Sequence, residues 1–98
     1  MTIVNARIYL LSHEDGGRLC PYAMSGYRPN LKFGDVYVCS EVLTGNGADI
    51  TSGQWTNTRV RIPSGEHLPA GSFSPGAKFL VAEGSHVVGE GIVTELVE

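Results

Sequence analysis

The sequence predicts an all-β domain, a small antiparallel barrel or sandwich of five or six short strands. Apolar and polar residues alternate strictly in several segments, glycine- and proline-rich turns separate those segments at short intervals, and no stretch shows sustained helical periodicity. "TIVNARIYLL" places Val4, Ala6, Ile8 and Leu10 on one face and Asn5, Arg7 and Tyr9 on the other, the two-residue period of a half-buried strand. "DVYVCSEVL" does the same, with Val36, Val38 and Val42 inward and Tyr37, Glu41 and Leu43 outward. In "TNTRVRI", Thr58, Val60 and Ile62 oppose Arg59 and Arg61.

The last third contains two further strand-like runs, "KFLVA" and "GIVTELV", rich in β-branched or aromatic residues. Glu83-Gly84-Ser85 between them is a turn signal, so a terminal hairpin or meander is expected. Gly89 and Gly91 fall inside it, where isolated strand glycines mark a bulge or a sharp bend. "TGNGADITSGQ" and "PSGEHLPAGSFSPG" read as surface loops; Pro63 and Pro69 leave room for at most one helical turn near Glu66–Ala70.

A chain of 98 residues has room for one domain with one core, residues 1–98. With 42% hydrophobic and 17% charged residues, disorder and fibrous repeats are disfavoured. A net charge of −3 argues against generic electrostatic capture of nucleic acid, which needs a basic face, and leaves room only for a local site. No apolar run reaches the roughly 20 residues of a membrane helix, and a cytoplasmic protein without membrane contact is expected. Cys20 and Cys39 read as free thiols, the latter structural within its strand.

Catalytic chemistry finds little support. His13, His67 and His86 occupy three separate turns without metal-motif spacing, so no metal is expected and the histidines read as solvated. Cys20 lies near Arg18 and His13, but no nucleophile signature surrounds it. "EDGGR" and "EGSHVVGEG" lack the lysine and Ser/Thr of a phosphate-binding loop, so no nucleotide cofactor is expected. Glu14 and Asp15 are adjacent, as in a solvated turn, rather than opposed as acid and base. Trp55 among polar residues suits either an anchor for a partner or a cap on an open barrel end.

"IYLLSHEDGGRLCPYAMSGYRPNLKF" resembles the carboxy-terminal domain, domain III, of translation elongation factor Tu: a strand ending in Leu-Ser, then Glu-Gly-Gly-Arg, an aromatic segment and Gly-Tyr-Arg-Pro. "GAKFLVAEGSHVVGEGIVTELVE" is similar to that domain's closing segment, through Gly76, Phe79, Glu83-Gly84, Val88-Gly89 and Gly91. The two segments span about half the chain; after Phe33 the family's threonine-rich strand is not recognisable.

The resemblance implies a closed six-stranded antiparallel barrel of the Greek-key type, all-β. The family's barrel touches a GTPase domain, a second barrel, the T-stem of aminoacyl-tRNA and the exchange factor. By position, the tRNA-contacting surface falls on Arg18 and Leu19, on Asn30, and on Glu83 and Gly84. Leu19 and Cys20 replace polar residues of the family, and Ala82 and His86 replace two arginines; each missing cation removes a phosphate partner. With no nucleotide-binding loop in these residues, no GTP binding is expected.

The reading is thus a non-enzymatic, stand-alone interaction module, linked to translation through the resemblance, whose partner is a protein. The alternative is a tRNA-like RNA held by a reduced T-stem site. The residues expected to carry contacts are Arg18, Arg28, Asn30 and Lys32 for RNA, Trp55 for protein, and Glu83 with Gly84 by position. Arg18 and Arg28 could also pair with Glu14, Asp15 or Asp35.

Overall fold

Each alternating segment becomes a strand in the computed structural model, which describes residues 1–98. The strands are β1 (Thr2–Leu10), β2 (Tyr22–Ala23), β3 (Asn30–Phe33), β4 (Val36–Cys39), β5 (Glu41–Leu43), β6 (Ile50–Thr51), β7 (Trp55–Ile62), β8 (Lys78–Glu83) and β9 (His86–Leu96). Seven form one antiparallel sheet in the order β4-β3-β8-β9-β1-β7-β5; β2 and β6 pair separately. Two short 3-10 turns, His13–Asp15 and Gly45–Gly47, are the only helical elements, and Pro63–Pro75 is a succession of turns and bends.

The sheet curls so that its inward residues meet in one core. Val4, Ala6, Ile8 and Leu10 of β1, Val38 and Val42, and Val60 and Ile62 of β7 are all buried there. Their outward neighbours follow the expected phase. Each fully buried Val, Leu, Ile or Phe side chain contributes roughly 1.5–3 kcal/mol. The hydroxyls carried inward find carbonyl acceptors: Thr58 donates to Ala6 at 2.9 Å and Ser40 to Pro29 at 2.8 Å.

Ser40 explains why the ladder contains seven strands where five or six are expected. β4 and β5 stand at opposite ends of the strand order, yet only Ser40 separates them in the chain. β4 pairs with β3, with Cys39 opposite Asn30. Past Ser40, Tyr27 bridges Val42 in the same register, while the other edge of β5 pairs with β7. Pro29, opposite Ser40, has no N–H to donate, so the ladder lapses at that step and the serine hydroxyl takes the proline carbonyl instead.

Curvature is also built into β9. Its register against β8 shifts beside Val88, and its register against β1 shifts beside Thr94, so the strand carries a bulge at each site. Gly91 faces inward beneath the Phe79 ring; an added Cβ would lie 2.2 Å from the ring. Phe79 uses the vacated space to pack against Phe33, with ring centroids 5.3 Å apart.

Residues 13–30 are a shaped connection. Ser12 caps the 3-10 turn, accepting a hydrogen bond from the Asp15 amide, and Gly16 turns the chain at φ +92°. At Gly17 an added Cβ would lie 2.0 Å from the Leu11 carbonyl oxygen, so only glycine fits.

Two expectations are corrected. The segment "TGNGADITSGQ" is not wholly surface loop: Ile50 is fully buried, and β6 holds it there by pairing with β2. Cys39 is not a packed strand residue; it has the outward phase of Tyr37 and Glu41 and is exposed, as is Cys20.

Gly91→Ala is expected to destabilise the fold by about 1–3 kcal/mol through overpacking against Phe79. In Gly91→Ala/Phe79→Leu the loss should be less than the sum of the two single losses, as measured by chemical denaturation. Additivity would show that the two positions do not share space.

Candidate partner-binding face

The expected contact residues separate into three neighbourhoods. Arg18, Asn30, Glu83 and Gly84 do come together, around a residue not singled out from the sequence, Tyr27. The Arg18 guanidinium pairs with Glu83, donates to the Tyr22 carbonyl and lies over the Tyr27 ring, 5.0 Å from its centroid. Tyr27 donates its hydroxyl proton to the same Glu83 oxygen at 2.7 Å. Asn30 reaches the Gly84 carbonyl at 3.4 Å. The Arg18 side chain is only 20% exposed, so its charge is spent on holding the 13–30 connection against the β8–β9 turn. His86 Nε2, 2.6 Å from the Gly16 carbonyl, ties the same two segments and is not merely solvated.

Burial, and then the hydrogen bond to Glu83 and its negative charge, push the Tyr27 phenol well above the usual tyrosine range; Arg18 opposes them without prevailing. This cluster is internally satisfied. It locks one end of the sheet and offers no free cation.

Arg28 stands in a second neighbourhood. On the outer surface Glu41 lies between Arg61, at 2.9 Å, and Arg28, at 3.4 Å. Both arginines therefore pair with Glu41, and Arg18 with Glu83, rather than with Glu14, Asp15 or Asp35. Arg28 remains 77% exposed, so its pair is held weakly.

Lys32 and Trp55 share the third neighbourhood, the outer wall. The register aligns one outward residue from each of six strands in a row: Tyr37, Lys32, Leu80, Glu90, Tyr9 and Trp55. Beside it runs a shorter row in which Ile92 pairs with both Lys78 and Arg7. Trp55 and Leu80 are each 37% exposed and Tyr37 41%, a concentration of apolar surface on the sheet's wet face. Trp55 does not cap an open barrel end; it lies on the wall against Tyr9, with centroids 5.4 Å apart, and Arg7 covers its ring at 5.4 Å.

Between the rows runs a groove of about 500 Å³ bordered by Lys32, Trp55, Lys78, Leu80, Glu90 and Ile92. A groove of similar size, about 520 Å³, is lined mostly by polar residues, among them Asn5, Thr44, Asn57, Arg59 and Thr94, with Ala6 and Leu43 as its apolar members. Interface cores are enriched in aromatic and other large apolar residues, and of the two grooves only that of Trp55 has aromatic side chains in its lining.

Leu80 and Ile92 were not singled out from the sequence. "FLVA" and "IV", residues 79–82 and 92–93, are continuous apolar runs whose inward phase cannot be read from alternation within them. The outward phase of Tyr9, Arg7 and Tyr37 was legible. No group of three or more His, Cys, Asp or Glu side chains is arranged to hold a metal ion, and no helix is long and apolar enough to cross a membrane. No protein-family model matches the chain.

Because the Tyr27 phenol ionises at higher pH in the folded than in the unfolded chain, its contribution to stability is fully present below the ordinary value of 10.0. Above it the unfolded chain loses a proton that the folded chain keeps, so stability falls as pH rises. Tyr27→Phe should make this alkaline decline shallower, as followed by denaturation midpoints against pH. An unchanged slope would place the titrating group elsewhere.

Proposed function

We propose that this domain is a non-enzymatic interaction module whose outer wall, centred on Trp55 and Leu80, docks a protein partner. The observation that carries the reading is the six-strand row of outward residues with its groove, where large apolar side chains lie exposed although the chain has a buried core to accommodate them.

We further propose that the barrel is built like domain III of elongation factor Tu, with a link to translation resting on that resemblance alone. Val36–Leu43 taken as one strand bent at Ser40, paired with β3 before the bend and β7 after it, leaves six strands around one core, and this supports the reading. So does the close packing of the two resembling segments: the Gly-Gly-Arg loop meets the Glu-Gly turn through Arg18 and Glu83. The RNA alternative loses support from the same contact, since Arg18, its principal cation, is already engaged.

Immobilised wild-type chain should retain a protein from a lysate of the source cell, and Trp55→Ala/Leu80→Ser should lose it while keeping its fold by circular dichroism. Retention of small RNA, weakening steeply with salt and further in Arg28→Ala, would replace this reading with the RNA one.

A further inference from the structure

The charge of the Trp55 wall departs from that of the chain. The sequence carries seven lysines and arginines against ten acidic residues. Three of the seven, Arg18, Arg28 and Arg61, pair with carboxylates. Of the four cations without a carboxylate partner, Arg7, Lys32 and Lys78 all stand on the two rows around the groove. The only acidic residue in those rows is Glu90, and it forms no ion pair. A chain of net charge −3 therefore concentrates unpaired positive charge where it exposes Trp55 and Leu80.

Two of these cations are held on aromatic faces: Arg7 over Trp55 at 5.4 Å and Lys32 over Tyr37 at 5.7 Å. Such contacts orient a cation without neutralising it, so its charge remains available to an incoming carboxylate. Arg7 lies over the Trp55 ring and Tyr9 packs tilted against it, so a nucleobase stacking on the face that Arg7 holds would have to displace the guanidinium. Leu80 and Ile92 give the groove aliphatic surface diagonally across β8 and β9, and Glu90, paired opposite Leu80, repels a continuous phosphate backbone. These features together select side chains that alternate apolar anchors with separated negative charges.

Resting on the protein-docking reading above, we infer that the Trp55 wall recognises an acidic protein segment whose apolar side chains enter the groove between Leu80 and Ile92. Its carboxylates meet Lys32, Lys78 and Arg7. Complementary charge sets orientation and excludes basic competitors, while the apolar contacts supply most of the affinity.

Trp55 is the only tryptophan in the chain, so intrinsic fluorescence reports on this wall directly. The probes are a short capped peptide alternating glutamate with leucine, the same peptide with lysine for glutamate, and an oligouridylate. The acidic peptide should shift the emission and bind at least about tenfold more tightly than the basic one at low salt, as three exposed ion pairs imply. Rising salt should shrink that preference. Lys32→Glu/Lys78→Glu, with its fold verified by circular dichroism, should abolish it.

Equal binding of the two peptides, or no shift with either, overturns the assignment of an acidic partner. A response to oligouridylate alone overturns it in favour of nucleic acid. If the peptide preference fails while Trp55→Ala/Leu80→Ser still loses the captured protein, the wall remains a docking face and only the partner's chemistry is wrong. Loss of both results removes the docking face as well.

Discussion

The rest of the structure depends on the segment Val36–Leu43 being hydrogen-bonded at both ends of the sheet at once. Its first half is held by β3, and its second half by Tyr27 on one edge and β7 on the other. A flat sheet could not satisfy these pairings, because a single residue, Ser40, separates the two halves. Curvature is therefore imposed by hydrogen bonding as well as permitted by the β9 bulges and the space at Gly91. The proline at position 29 makes the bend tolerable, since the one ladder step it removes is replaced by the Ser40 hydroxyl.

That curvature divides the charged surface into a satisfied part and an unsatisfied part. At the β8–β9 turn, Arg18, Tyr27 and Glu83 saturate one another, and their contribution is to clamp the 13–30 connection to the wall. Around Glu41, two arginines share one carboxylate. On the Trp55 wall the cations face aromatic rings and solvent instead. Sites that saturate internally contribute to folding, and sites left open are where a partner gains most by binding. This contrast, more than any single residue, supports the proposed docking of a partner on the wall. It also separates this domain from an RNA-binding reading based on position alone, because the arginine in the expected place has been taken up by the fold.

Much of the architecture was legible in the sequence. Alternation alone gave the inward faces of β1, β7 and the Val36–Leu43 segment, because a half-buried strand must keep one face apolar. The turn at Glu83-Gly84-Ser85 and the special role of the strand glycines were legible for similar local reasons. What escaped depended on distant partners. Ile50 is one apolar residue in a polar loop and carries no period; only its pairing opposite Ala23 takes it into the core. Cys39 was assigned by its apolar neighbours instead of its phase. Tyr27 was visible only as part of a resembling motif, since its function as a hub requires Glu83, 56 residues away. Of the candidate face, Lys32 and Trp55 are legible in the sequence, whereas Leu80 and Ile92 are not, because continuous apolar runs hide which residue points outward.

The most direct test of the account is native-state hydrogen exchange resolved by residue across Val36–Leu43. If both halves of the segment are held as described, the ladder amides on either side of Ser40 should exchange only through global unfolding, with the protection of β1 and β9. Strong protection in β3–β4 with rapid exchange of the β5 amides that face β7 would contradict it. The sheet would then be open at that seam, and neither its curvature nor the alignment of the outer rows would be held in the way described.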